Sequence, residues 1–165
     1  MHIISILMIE ADINIAVNTE VKEKLLPGFV IENTAKQMKL SFSRLLLLHS
    51  EIDITVDQWI IIQLLQQYGQ LSQQKLAEYA VKDAPTVTRI LDILTDKTYI
   101  IRTPDPADRR KFSIILTEKG MEIYKKVTPL VQEFRSESYK DITEFELEVV
   151  AGVMAKIKLN LQSQP

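Results

Sequence analysis

The sequence predicts a mainly α-helical protein with one small β-hairpin. Three observations carry that expectation. Glycine is scarce, at 4 of 165 residues, too few for an all-β or linker-rich chain. Apolar residues recur at helical spacing through most of the length. Two β-branched runs, "YIIRT" at 99–103 and "KFSIIL" at 111–116, flank a proline-containing loop, which is the pattern of a hairpin.

Composition narrows the class. Hydrophobic residues make up 46% and charged residues 25%, enough for a core in one domain or one domain with extensions. The absence of cysteine excludes disulfides, thiolate metal sites and thiol redox sensing. His2 and His49 lie far apart and read as surface or packing histidines, so no metal site is expected. No apolar run approaches the roughly 20 residues of a membrane helix. "MHIISILMIEADIN" has neither a basic leader region nor a small-residue cleavage site, so a cytoplasmic protein is expected. Two readings of this terminus stand: translation from Met8, or an arm packed on the rest of the molecule. No nucleophile–base set, metal-ligand spacing or phosphate loop occurs. No enzyme and no cofactor are therefore expected.

The elements follow in order. "NTEVKEKLLPG" (18–28) predicts a short helix stopped by Pro27-Gly28. A longer helix, about 33–52, carries Met38, Phe42, Leu45, Leu46 and Leu48. Its "LLLL" run at 45–48 should be buried on several sides, against a partner helix. Thr55-x-x-Gln58 is a capping box opening a helix that ends at Gly69, with Trp59, Ile62 and either Leu65 or Tyr68 inward. Ser72 caps the segment 71–80, which should bury Leu76 and Ala77. Asp83 caps a helix over about 84–97, with Pro85 in the first turn, where its missing N–H costs nothing. Val87, Ile90, Leu91 and Leu94 share one face, leaving Thr86 at the flank and Thr88, Arg89 and Asp92 opposite. After the hairpin, Thr117 caps a helix over 118–137 with Tyr124, Val127, Leu130, Val131 and Phe134 as its stripe. Pro129 should kink it. Thr143-x-x-Glu146 opens a last helix with Leu147, Val150, Met154, Ile157 and Leu161.

Three helices and a hairpin within 55–116, the second and third helices short and tightly joined, make a winged helix-turn-helix. The third helix has the outward side chains of a groove reader. Arg89 suits a bidentate contact to guanine, and Thr86 and Thr88 suit phosphates or a thymine methyl. Its N-terminus suits a phosphate. Charge agrees: from Ser72 to Lys119 nine basic residues outnumber seven acidic ones, +2 against −4 in the remainder of the chain. In the loop "PDPADRRK", Pro104 and Pro106 stiffen the backbone, which lowers the entropy lost on binding. Asp105 and Asp108 hold neighbouring arginines, and the tip delivers Arg109, Arg110 or Lys111 to the minor groove or its phosphates. One arginine is structural, and spacing does not say which. The apolar stripes of the outer helices exceed what one small core covers, so a homodimer reading a pseudo-palindromic duplex is expected.

The segment "LSQQKLAEYAVKDAPTVTRILDILTDKTYIIRTPDPADRRKFSIILTEKG" resembles the MarR (multiple antibiotic resistance regulator) family. The resemblance rests on Leu71-Ser72-Gln73, Leu76-Ala77, Pro85-Thr86-Val87-Thr88-Arg89, Leu91-Asp92, Asp105-x-x-Asp108-Arg109-Arg110 and Leu116-Thr117-x-x-Gly120. It is close over about 54–120 and loose outside. It implies a winged helix-turn-helix domain at 55–117, dimerisation helices at 31–54 and 118–162, and an N-terminal extension at 1–30. It implies a homodimeric regulator of transcription, usually a repressor, that binds double-stranded DNA. Ser72, Gln73, Pro85, Thr86, Thr88, Arg89, Arg109, Arg110 and Lys111 would form the DNA face. A phenolic or anionic effector would bind near Trp59 and His49. One departure stands out: Lys97-Thr98 replaces the family's Lys-Gly, so the helix should close without a left-handed glycine. A winged helix used only for protein contact is the alternative, one that exposed aromatics would mark.

Overall fold

The computed structural model describes residues 27–104 and 112–163. These fall into two units, one ending at Leu48 and one beginning at His49. The first contains helix α1, Pro27–Leu47. Pro27 and Gly28 therefore open a helix instead of stopping one, because proline fits the first turn as well as the residue beyond a helix. The rest of the predicted 18–28 helix lies outside the described residues. Phe42 and Leu46 are the buried side chains of α1, whereas Leu47 and Leu48 are about 80% exposed in the single chain.

The second unit holds α2 (Val56–Tyr68), β1 (Gln70–Ser72), α3 (Gln73–Ala80), α4 (Ala84–Asp96), β2 (Ile100–Pro104), β3 (Phe112–Leu116), α5 (Glu118–Ser138) and α6 (Glu144–Gln162). The strands form an antiparallel sheet in the order β1-β3-β2, with Leu71 opposite Ile114 and Ile101 opposite Ile115. The hairpin thus gains a third strand that the sequence does not announce. Three residues leading directly into a capped helix leave too little alternation to read.

Ile61, Ile62 and Leu65 of α2, Leu76 of α3, Val87, Leu91 and Leu94 of α4, Ile100, Ile114 and Val127 are all fully buried. A buried aliphatic side chain contributes on the order of 1.5–3 kcal/mol, so this shared core holds the reading helix against both the wing and α2. Leu65, not Tyr68, completes the stripe of α2. Trp59 stacks on Tyr124 at 5.5 Å, joining α2 to α5. Helix α5 buries Ile123 in addition to the expected Val127 and Val131, and it continues through Pro129 to Ser138.

The caps form as the sequence indicates. Thr55 and Gln58 make a reciprocal capping box, as do Thr143 and Glu146. Gly69 closes α2 at φ 77°. At Gly120 an added Cβ would collide with the backbone carbonyl of Tyr99, so α5 seats against the start of β2 only where no side chain intervenes.

The end of α4 closes without a left-handed glycine, as expected. It closes in the left-handed region with Thr98 itself at φ 60°. The bonds from Tyr99 N–H to the Leu94 carbonyl (2.9 Å) and from Thr98 N–H to the Thr95 carbonyl (2.8 Å) are those of a Schellman motif. Lys119 Nζ, 3.0 Å from the Lys97 carbonyl and 3.2 Å from Thr98 Oγ1, braces the turn. Helix α3 closes the same way on Val81 at φ 51°.

Candidate nucleic-acid interface

The turn between α3 and α4 is fixed at both ends. On one side Val81 provides the left-handed residue. On the other the Asp83 carboxylate accepts from Thr86 N–H (2.7 Å) and from the Thr86 hydroxyl (2.9 Å). Those bonds, the backbone one first, hold the Asp83 carboxyl below its ordinary value. A carboxylate already sits on the first turn, so the phosphate expected at this N-terminus meets an occupied cap. Lys82 pairs with Asp57 at 2.9 Å and ties the turn to α2. Ser72 uses its hydroxyl as the cap of α3, accepting from Lys75 N–H.

The exposed surface of α4 presents Thr88 and Arg89, with Thr86 half-buried beside them and Pro85 exposed in the first turn. The threonine hydroxyls are engaged inside the protein. Thr86 donates to Asp83, and Thr88 donates to the Ala84 carbonyl at 2.9 Å. Each hydroxyl has one proton. With those protons engaged, the hydroxyl oxygens have lone pairs and no proton left for an external group. Arg89 makes no hydrogen bond or ion pair among the described residues, which leaves all five of its N–H donors for an external acceptor.

Two features of this surface escape the sequence. Arg102 of β2 lies 2.5 Å from Asp92 of α4, an ion pair that fixes the wing's first strand to the reading helix. Spacing offered no signal for it, since the partners belong to different elements. The second is the bond from Gln73 Nε2 to Thr88 Oγ1, 2.7 Å, between the first turn of α3 and the face of α4. The structure thus brings Gln73, Thr88 and Arg89 onto the helix-turn-helix. Asp105, Asp108, Arg109, Arg110 and Lys111 lie outside the described residues.

The candidate effector residues are placed differently. Trp59 is buried against Tyr124. The His49 ring is partly exposed and 3.3 Å from the Glu51 carboxylate. Neither lines the cavity of about 630 Å³ bounded by Tyr68, Tyr79, Val81, Met154 and Ile157. Among the described residues no cluster of His, Asp or Glu could hold a metal ion, and no helix is long and apolar enough to cross a membrane.

A three-helix unit with a sheet-borne wing and an outward arginine defines a winged helix-turn-helix protein of the DNA-binding class. Residues 54–112 match the family model described as the MarR family. The transcriptional repressor IacR of Pseudomonas putida is 22% identical over 113 residues, 68% of each chain. The transcriptional regulator SarZ of Staphylococcus epidermidis is 31% identical over 87 residues, 53% of this chain. That match spans about three fifths, 59%, of SarZ. A mutant of MarR from Escherichia coli, solved with operator DNA, superposes with a TM-score of 0.71 at 25% identity, covering 79% of this chain and 91% of that one. BpsR of Bordetella bronchiseptica shares the fold, with a TM-score of 0.72 at 18% identity over 84% of this chain and 96% of its own. Residues 54–112 thus carry a MarR-type domain, and over most of its length the chain is similar to DNA-binding transcriptional regulators of that family.

Proposed function

We propose that the chain is a non-enzymatic, cytoplasmic repressor that binds a pseudo-palindromic operator as a homodimer, with α4 in the major groove and the 104–111 wing along the minor groove. The observation that carries this reading is Arg89. It stands outward on a helix whose opposite face is locked into the core, and no described residue neutralises it. A guanidinium so placed matches the O6 and N7 acceptors of guanine. Ser72 and Asp83 set the two helices, Pro85, Thr86 and Thr88 shape the contacting surface, and Arg109, Arg110 and Lys111 supply backbone contacts that position without specifying.

The homodimer is supported by α6. Val149, Val150, Val153, Met154, Ile157, Leu159 and Leu161 are all exposed, and the helix buries nothing. Such a surface calls for a covering partner. Residues 31–54 and 118–162 would supply that interface, 55–117 would contact DNA, and 1–30 would be an extension. A small phenolic or anionic effector would act by favouring one spacing of the paired α4 helices. BpsR, whose DNA binding is regulated by 6-hydroxynicotinic acid, is the precedent for such control.

Selection of bound duplexes from a random-sequence library, followed by binding titrations, tests the reading. Arg89→Ala should weaken the selected site by about 1–3 kcal/mol and relax the preference at one guanine per half-site. Unchanged affinity and preference would remove α4 from the groove.

A further inference from the structure

The outward surface of the helix-turn-helix holds one polar contact between its two helices, and its chemistry fixes which way an amide faces. Thr88 Oγ1 lies 2.9 Å from the Ala84 carbonyl and gives its only proton there. Towards Gln73 the same oxygen can only accept. The group 2.7 Å away must then be the Gln73 NH₂ and not its carbonyl oxygen. One N–H of Gln73 is thereby engaged. Its second N–H and its carbonyl oxygen make no bond among the described residues. A donor and an acceptor on one planar carboxamide match N7 and N6–H₂ of adenine in the major groove. Guanine presents two acceptors there and cannot satisfy both.

We propose that Gln73 and Thr88 form a single reading unit that selects an adenine–thymine pair in each half-site. Thr88 acts as the positioning residue that locks the Gln73 carboxamide in the adenine-reading orientation. The inference rests on the DNA-binding reading above and adds to it a base and a residue pair. Pre-setting the amide matters because an exposed glutamine otherwise loses rotamer entropy on docking and presents its two ends equally well.

The test uses the full chain and the same random-duplex selection. Wild-type protein should enrich sites with a fixed adenine in each half-site, preferred over guanine by about tenfold or more. Gln73→Ala should erase the preference at that position alone. Thr88→Val keeps a methyl but removes the hydroxyl, and should erode the same preference, while Thr88→Ser should retain it. Replacing that adenine by 7-deazaadenine, which lacks N7, should weaken wild-type binding and leave Gln73→Ala unaffected. A uniform loss across all sequences in Gln73→Ala would make Gln73 a phosphate contact and overturn the proposal. So would equal base preferences in Thr88→Val and wild type. If wild-type protein enriched no duplex, the DNA-binding reading itself would fall, a result distinct from either of these.

Discussion

At the scale of single residues, the helix ends decide how the reading surface is presented. Asp83 caps α4 through two bonds to Thr86, and these hold its carboxyl below the ordinary value. A carboxyl lowered on folding adds stability above its unfolded pKa, and that stability disappears as pH falls through the folded value. Asp83→Ala should therefore lower the melting temperature near neutral pH, and the gap to wild type should close below about pH 4. Circular dichroism melts across pH would show it, and a gap of constant size would contradict the capping role. Val81 is the opposite case. It is 82% exposed and holds a left-handed conformation that costs a side-chain-bearing residue about 1–2 kcal/mol. Val81→Gly should raise stability by about 1 kcal/mol, a shift of about 3 °C in Tm. An unchanged or lowered Tm would mean that the valine side chain has a packing role.

The N-caps Ser72 and Asp83 were legible in the sequence, because a capping side chain and its N–H are three residues apart, whereas the left-handed valine at 81 was not. The engaged hydroxyl protons of Thr86 and Thr88 were half legible. Their acceptors, Asp83 and Ala84, are local, but whether a threonine turns back to the helix or out to a ligand depends on its rotamer. The left-handed threonine at 98 could not be read. Propensity argues against a β-branched residue there, and only the bracing by Lys119 and the carbonyl geometry of α4 show why it is tolerated.

At the scale of elements, the four helices from α2 to α5 and the wing strands follow from periodicity and turn chemistry, so the fold of the DNA-binding unit was legible. What was missed lies between elements: the short strand β1, the Asp92–Arg102 pair and the Gln73–Thr88 bond. None has a spacing signature, because each joins residues whose proximity is set by the tertiary fold. The 105–111 tip belongs to the sequence argument alone. Its test is the salt dependence of binding. Replacing Arg109 and Arg110 together by alanine should reduce the slope of log affinity against log salt by about 1 for each phosphate that the protein no longer neutralises. An unaltered slope would take the wing off the DNA backbone.

At the scale of the whole molecule, two features matter most. One unit packs a reading helix against a rigid core, and one helix, α6, carries an apolar surface that the single chain leaves uncovered. The proposed homodimer would reconcile them, because two-fold symmetry would cover the apolar surface and pair the reading helices. The central claim is that paired α4 helices enter the major groove through Arg89. Dimethyl sulfate footprinting on a selected duplex tests it most directly, since that reagent methylates guanine N7 in the groove. The expected result is protection of guanines in two half-sites about 34 Å apart, with that protection abolished in Arg89→Ala. Guanines that stay equally reactive when the protein is bound would contradict it.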